Sequence, residues 1–126
     1  MNKEVISTNK APSAIGPYSQ GIKLENFIFV SGQIPVNPET GEISKDIKEQ
    51  AAQSMTNIKN ILAESGASLD DVVKATIFIT DLNNFAAVNE VYGSFFSGSY
   101  PARSCVEVSK LPKDVGLEIE VIAVRR

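Results

Sequence analysis

Histidine and tryptophan are absent from all 126 residues of the sequence, and cysteine occurs once, as Cys105. The lack of histidine excludes Ser-His-Asp and Cys-His nucleophilic arrangements and every histidine-based zinc site. One cysteine can form neither an internal disulfide framework nor a thiolate metal site, and it fits a reducing compartment. Chemistry on this chain therefore depends on arginine, carboxylates, hydroxyls, backbone groups or a single thiol.

Phosphate-binding and targeting motifs are also missing. Neither G-x-G-x-x-G after a strand nor G-x-x-x-x-G-K-[ST] occurs, and no apolar run approaches the length of a membrane span. The net charge is -3, and the one basic cluster is Arg125-Arg126, which disfavours binding to nucleic acid. These absences predict a cytoplasmic protein that binds neither membrane nor nucleic acid. They leave small-molecule chemistry without a cofactor, or simple binding.

Length and apolar periodicity predict the organisation of the chain. A length of 126 residues predicts a single domain, 1–126. Period-two patterns predict strands at 3–7, 21–25, 27–31, 72–80, 103–109 and 117–124. Helical spacing predicts a helix from Asp46 to Ser65, with Glu49 completing a capping box and Gly66 as terminator. A second helix is predicted from residue 83 or 84 to Gly98, burying Phe85, Val88, Tyr92 and Phe95. This order indicates an α+β layer, one sheet with two helices on one face.

The predicted sheet has apolar residues on both faces. In the last strand, Ile122 and Val124 share a face with Glu118 and Glu120, opposite the main apolar row. Two helices cover only one face, and no segment is left to cover the other. A partner subunit is therefore favoured over isolated surface hydrophobic residues, which are also normal.

Arg103 is the leading candidate for a functional residue. It follows a proline turn at the start of a predicted strand, and its guanidinium is a rigid fork suited to binding a carboxylate. If the last two strands pair as an antiparallel hairpin, Arg103 shares a face with Glu118 and Glu120, where a glutamate could handle a water molecule. A structural ion pair with Glu107, Glu118 or Glu120 is an equally good interpretation of the spacing.

Five further residues are candidates with ordinary alternatives. Cys105 has no histidine to activate it, so an inert packed thiol is favoured, with its backbone groups as the useful part. Tyr18 follows a Gly-Pro turn and could face a pocket or simply pack. Ser31 and Gly32 offer a hydroxyl and an approachable backbone at a strand end, or only a turn. Asn89 lies inside the second predicted helix, where such residues are normally solvated.

Together these segments resemble the RidA proteins of the YjgF superfamily, the enamine/imine deaminases. The resemblance covers nearly the whole chain and rests on AIGPYSQG (14–21), VSGQIP (30–35), VVKAT (72–76), VNEVY (88–92) and PARSCVEV (101–108). The closing LPK (111–113) and EIEVIAV (118–124) resemble the last hairpin of the family. The connection at 97–100 is the looser part.

The resemblance implies a fold, an assembly and a reaction. The expected subunit is chorismate-mutase-like (ferredoxin-like), a single mixed sheet of about six strands, in a homotrimer with the sheets facing inward and sites at subunit interfaces. The implied substrates are 2-aminoacrylate and 2-aminocrotonate as their imines, 2-iminopropanoate and 2-iminobutanoate, which are hydrolysed to 2-oxo acids and ammonia. Neither a metal nor a cofactor is expected.

The resemblance also implies residue roles. Arg103 would bind the substrate carboxylate, and Glu118 would activate or position the attacking water. The remaining binding group would be Tyr18, Ser31, Gly32, Asn89 and Cys105, the last through its backbone and Asn89 as the weakest member. The competing function is a non-catalytic protein that binds small carboxylates or 2-oxo acids. A ribonuclease or chaperone role, attached to relatives, is disfavoured by the acidic charge and the lack of histidine.

Overall fold

The structure is a computed structural model that describes residues 2–126. Within this range, six strands form one sheet in the order β1-β2-β3-β6-β4-β5. The strands are β1 (Lys3–Ile6), β2 (Gly21–Leu24), β3 (Phe27–Gln33), β4 (Val72–Ile79), β5 (Ala102–Glu107) and β6 (Leu117–Val124). The helices are α1 (Ile47–Glu64) and α2 (Phe85–Ser94). Only β4 and β5 pair in parallel among these strands, so the predicted α+β fold with a single mixed sheet is confirmed.

Helix α1 begins and ends where its capping residues predict. Asp46 accepts a hydrogen bond from the Glu49 N–H at 3.0 Å, which is one half of the predicted capping box. The Glu49 carboxylate instead accepts from the Ser44 hydroxyl at 2.7 Å, and that hydroxyl accepts the Asp46 N–H. At the other end Gly66 has φ +82°, and the N–H groups after the helix bond back to Ala63 and Leu62 in a Schellman motif.

The core lies between the two helices and one face of the sheet. The apolar stripe of α1 is fully buried from Ala51 to Leu62, and α2 adds Val88 and Tyr92. The sheet contributes alternate residues of its three central strands: Ile28, Val30, Ala75, Ile77, Ile79, Leu117, Ile119, Val121 and Ala123. Burying each large aliphatic side chain contributes about 1.5–3 kcal/mol, so this layer supplies most of the driving force for folding.

Within residues 2–126, the other face of the sheet has no helix on it, as the predicted placement of both helices on one face requires. Phe27 and Phe29 stack with ring centroids 6.2 Å apart, yet they remain 49% and 40% exposed. Their neighbours across the sheet are Val124 and Ile122 of β6. We call this the open face. Among residues 2–126, no helix is long and apolar enough to cross a membrane.

The pairing of the last two strands differs from the predicted hairpin. Strand β5 lies at the sheet edge beside β4, and β6 inserts between β4 and β3. The reason is the crossover through α2, which returns the chain parallel to β4 as a βαβ unit. The connection after β5 then has to pass over β4 to reach the β6 position.

This topology separates residues that the period-two pattern of the two strands had predicted on one face of the sheet. Arg103 and Cys105 are in register with the core residues Ala75 and Ile77, so their side chains lie on the helix side. Glu118 is in register with Phe78 of the open face. The prediction that Arg103 shares a face with Glu118 and Glu120 is therefore wrong within one chain.

Candidate functional site

Arg103 is held by one stripe of helix α2. Its Nη1 donates to the Asn89 side-chain oxygen at 2.6 Å. The guanidinium carbon lies 5.4 Å from the ring centroid of Phe85 and 5.2 Å from that of Tyr92. These helix residues are spaced i, i+4 and i+7, which places them on one face of the helix. We call Phe85, Asn89 and Tyr92 the α2 cradle.

The guanidinium of Arg103 keeps an unpaired charge. Among residues 2–126 the ion pairs are Lys48–Glu90 and Lys110–Asp114, so no carboxylate lies within 4.0 Å of Arg103. The Glu107 carboxylate accepts the Leu82 N–H at 2.9 Å instead. The structural ion pair of Arg103 with a glutamate, one of the two interpretations of the sequence, is therefore absent among residues 2–126.

A groove opens beside Arg103. It has a volume of about 450 Å³ and is lined by Asn89, Tyr92, Gly93, Tyr100, Pro101 and Arg103. A half-buried cation without a carboxylate partner favours the entry of an anion. The groove is large enough for a small carboxylic acid.

The edge of β5 adds free backbone groups next to this groove. Val108 donates its N–H to the Ile79 carbonyl at 2.8 Å, across to β4. Because successive residues of a strand direct their N–H and C=O groups to opposite sides, Arg103 and Cys105 direct theirs to the open edge. The Cys105 thiol packs against the core, and burial raises its pKa more than the nearby Arg103 lowers it. The thiol is therefore mainly protonated near neutral pH.

Glu118 lies on the open face against Gly32. The β3–β6 register shifts between Val30 and Gln33, and this irregularity includes Gly32. A Cβ atom on Gly32 would lie 2.7 Å from Cδ of Glu118, so the carboxylate occupies the space that only a glycine leaves. Burial raises the pKa of Glu118, and the charge of Glu120 raises it further. A carboxyl group with a raised pKa is suited to proton transfer.

Ser31 and Tyr18 belong to the surroundings of β3. The Ser31 hydroxyl donates to the Ser19 carbonyl at 2.6 Å, and its N–H donates to the Gln20 carbonyl at 2.9 Å. Gln20 is buried and ties down the same loop through bonds with Thr8, Ala11 and Pro12. Tyr18 projects from this loop with 52% of its surface exposed. The loop therefore presents the Tyr18 phenol next in sequence to Ser19, whose carbonyl fixes the Ser31 hydroxyl.

The structure brings the candidate residues together as two groups rather than one. The Arg103 cluster contains Asn89, Arg103 and Cys105 at the β5 edge, on the helix side. The Glu118 cluster contains Ser31, Gly32 and Glu118 on β3 and β6, with the Tyr18 loop bonded to Ser31. Strand β4 separates β5 from β6, and Arg103 and Glu118 point to opposite faces. One chain therefore does not combine Arg103, the predicted carboxylate anchor, with Glu118, the predicted acid/base group.

The sequence analysis missed the contacts of Phe85 and Tyr92 with Arg103. Both residues were predicted as buried side chains of the second helix, and Tyr92 is buried. Phe85 is only half-buried, and its ring centroid lies 5.4 Å from the Arg103 guanidinium carbon. The sequence did contain a signal for these contacts, because Phe85, Asn89 and Tyr92 are spaced to lie on one stripe of the helix. A polar residue between two aromatics on one helix stripe indicates a polar partner across from it.

Replacing Gly32 by alanine tests the contact with Glu118. We expect the Gly32→Ala variant to unfold at nearly the wild-type temperature, because the flexible Glu118 side chain can swing away. Its turnover of the imine substrates that the family resemblance implies should fall by about 10-fold or more, since a small displacement of a reacting group lowers the rate strongly. Turnover and thermal unfolding are to be compared with Gly98→Ala, where the added methyl meets nothing within 4 Å. Equal turnover in the two variants would contradict the proposed importance of the Glu118 position.

The fold and these two clusters define a class of protein: a small α+β protein that presents an arginine without a carboxylate partner and a half-buried glutamate on separate surfaces. Among residues 2–126, no three histidine, cysteine or acidic side chains gather as metal ligands. The family model described as Endoribonuclease L-PSP matches residues 8–125. The chain therefore belongs to this family, Ribonuc_L-PSP, which includes the YjgF and RidA proteins, and the predicted membership is confirmed.

Individual relatives match over almost their full length. The chain is 64% identical over 124 residues to a RutC family protein of Pyrococcus abyssi, covering 98% of each chain. It is 56% identical over 126 residues to the 2-iminobutanoate/2-iminopropanoate deaminase of Escherichia coli K12, again covering 98% of each. The crystal structure of E. coli TdcF with bound serine superposes with a TM-score of 0.96 at 56% identity, covering 98% of this chain and 99% of that one.

Proposed function

We propose that this protein is a hydrolase that deaminates 2-iminobutanoate and 2-iminopropanoate, the imine forms of 2-aminocrotonate and 2-aminoacrylate. The products are 2-oxobutanoate or pyruvate and ammonia. The observation that carries the proposal is the guanidinium of Arg103, which is held beside a groove without a carboxylate partner. The identity to the E. coli deaminase supports the same reaction. The serine bound to E. coli TdcF is likewise a small molecule with a carboxylate.

The reaction needs few groups. Arg103 binds the substrate carboxylate in a fork-like pair, which fixes the position of C2. The oxygen of water bonds to C2 of the protonated imine, the C=N electron pair moves to nitrogen, and Glu118 takes the proton of the water. Glu118 then returns the proton to nitrogen, and ammonia leaves with the C–N electron pair while the hydroxyl oxygen forms C=O and gives its own proton to Glu118. The released ammonia takes that proton and becomes ammonium, which restores the Glu118 carboxylate. One positioned acid/base group contributes roughly 10²–10⁴-fold, which is adequate for an imine that already hydrolyses in water.

We further propose that the active assembly is a homotrimer with the open faces directed inward. Each site would combine the Arg103 cluster of one chain with the Glu118 cluster of its neighbour. Three features support this arrangement: Arg103 and Glu118 lie on opposite faces of one chain, Phe27 and Phe29 are exposed on the open face, and the β5 edge is free. Tyr18, Ser31 and the backbone of Gly32 and Cys105 would complete the pocket.

Mixing two inactive variants tests this shared site. We expect Arg103→Ala and Glu118→Ala to be inactive alone, and to regain about one quarter of wild-type activity after the two are unfolded and refolded together in equal amounts. Random mixing of a trimer gives that fraction, because each mixed trimer holds one site in which both contributing residues are native. The measurement is turnover before and after co-refolding, with each variant refolded alone as the control. No recovery in trimers shown to be mixed would place both residues of a site on one chain.

A coupled assay tests the reaction itself. A serine/threonine dehydratase releases the imines from serine or threonine, and semicarbazide traps them as semicarbazones before they hydrolyse. Adding this protein should lower the semicarbazone yield and raise the free 2-oxo acid, while the sum of the two stays constant. Heat-inactivated protein is the control. An unchanged yield at high protein concentration would overturn the deaminase proposal and favour a carboxylate-binding protein without turnover.

The proposed location is the cytoplasm, and the proposed partners are copies of this chain and small carboxylates. The family description names an endoribonuclease. The net charge of -3 and the lack of histidine give no support to RNA cleavage by this chain. We therefore propose that it acts on no nucleic acid. RNA binding that weakens steeply with added salt would contradict this part of the proposal.

A further inference from the structure

We infer that the α2 cradle is a set of positioning residues that hold Arg103 through a neutral acceptor, so that the full charge of the guanidinium stays available to the substrate. The inference rests on the proposed function, in which Arg103 binds the substrate carboxylate. It assigns Asn89 a different role from the direct substrate contact that the family resemblance implies. It also assigns roles to Phe85 and Tyr92, which the sequence analysis treated as core residues.

The position of Arg103 explains why such a device is needed. The residue lies on an edge strand and is only half-buried, so packing alone would leave its long side chain many rotamers. Ordering a free side chain of this kind on binding weakens the affinity for the ligand. The bond to Asn89 at 2.6 Å and the rings of Phe85 and Tyr92 at 5.4 and 5.2 Å order it beforehand. The guanidinium is therefore placed before the substrate arrives.

The α2 cradle holds Arg103 without a negative charge of its own. Asparagine accepts one N–H of the guanidinium through a carbonyl oxygen and carries no charge. An aspartate at this position would form a charge-assisted, fork-like pair with Arg103 and compete with the substrate carboxylate. The faces of Phe85 and Tyr92 attract the cation through their ring quadrupoles, again without a formal negative charge. All three contacts therefore hold the cation without neutralising it.

Asn89 could act in two ways, by positioning Arg103 or by contacting the substrate directly. Its side-chain oxygen is engaged by Arg103, and the same residue lines the groove. If Asn89 acts only through Arg103, removing its side chain should matter only while an arginine is present. If it contacts the substrate directly, the loss should be the same whatever residue stands at 103. A double-mutant cycle measures this difference.

The experiment measures 2-oxobutanoate binding by NMR titration of the full-length protein. The variants are Asn89→Ala and Asn89→Asp, each in the wild-type and in the Arg103→Lys background. In the wild-type background we expect Asn89→Ala to weaken binding about 10-fold and Asn89→Asp about 100-fold. In the Arg103→Lys background, Asn89→Ala should change binding less than about twofold. Asn83→Asp adds the same charge at an exposed position near α2 and is the matched control.

Each outcome decides between defined alternatives. Equal losses from Asn89→Ala in the two backgrounds would overturn positioning and favour direct substrate contact. A weaker effect of Asn89→Asp than of Asn89→Ala would overturn the argument from neutrality, because the aspartate keeps the size of the native side chain. Thermal unfolding of every variant separates a loss of fold from a loss of binding, and the near-isosteric aspartate keeps the test valid if alanine destabilises α2. Failure of the wild-type protein to bind 2-oxobutanoate would overturn both this inference and the proposed function, whereas normal binding with equal losses would overturn the inference alone.

Discussion

Replacing Arg103 by alanine is expected to abolish measurable 2-oxobutanoate binding and to lower kcat/KM for imine hydrolysis by about 10³-fold or more. The reason is that the described part of the chain places no other cation in the groove, which Arg103 lines together with Asn89, Tyr92, Gly93, Tyr100 and Pro101. The aromatic rings and the Asn89 oxygen that remain would disfavour an anion. The measurements are a ligand titration and the coupled imine assay.

The control for Arg103→Ala is Arg126→Ala, which removes the same charge from an exposed position at the end of the chain. We expect this control to bind and turn over like the wild-type protein. Arg103→Lys should retain weak binding, because lysine keeps the charge but lacks the planar fork. Turnover by Arg103→Ala at a rate near that of the wild type would exclude Arg103 as the carboxylate anchor.

Replacing Glu118 by glutamine is expected to separate binding from catalysis. The variant should bind 2-oxobutanoate within a few-fold of wild type, yet lose roughly 10²–10⁴-fold in kcat, because a neutral amide is too weak a base to accept the proton of the attacking water. Glutamine has nearly the size of glutamate, so the close fit against Gly32 is preserved. A wild-type rate from Glu118→Gln would refute the assigned role. A complete loss of binding would make Glu118 part of the carboxylate site instead.

The rate of the reaction should depend on pH through the protonation of Glu118. Burial and the neighbouring charge of Glu120 raise its pKa, so the carboxylate form that accepts a proton from water is lost as the pH falls through that raised value. The acid limb of the kcat/KM profile should therefore lie above the pKa of about 4.3 of a free glutamate. In Glu120→Gln the raising charge is gone, and the limb should move to lower pH. An unshifted limb in that variant would assign the titration to another group.

The secondary structure of this protein is largely local information. Asp46 and Gly66 predicted both ends of α1 because caps satisfy backbone groups within a few residues. The bounds of β6 were predicted to the residue, since its alternation is long and regular. Helix α2 was predicted several residues too long, as the aromatic run at Phe95 and Phe96 continues its apolar pattern after the helix ends. The segment at 82–84 is a short 3-10 turn ahead of α2 rather than its first turn.

The sequence by itself determined the order of the main helices and strands, the single α+β layer and the two-sided apolar sheet, and through its motifs it predicted Arg103 and Glu118 as site residues. Only the tertiary structure decided that these two residues lie on opposite faces, because the period-two pattern of a strand does not specify its neighbours. The crossover through α2 made that choice, and it also placed Asn89 against Arg103. Local chemistry is encoded residue by residue, whereas the pairing of β4 with β5 and β6 depends on which arrangement buries the most apolar surface.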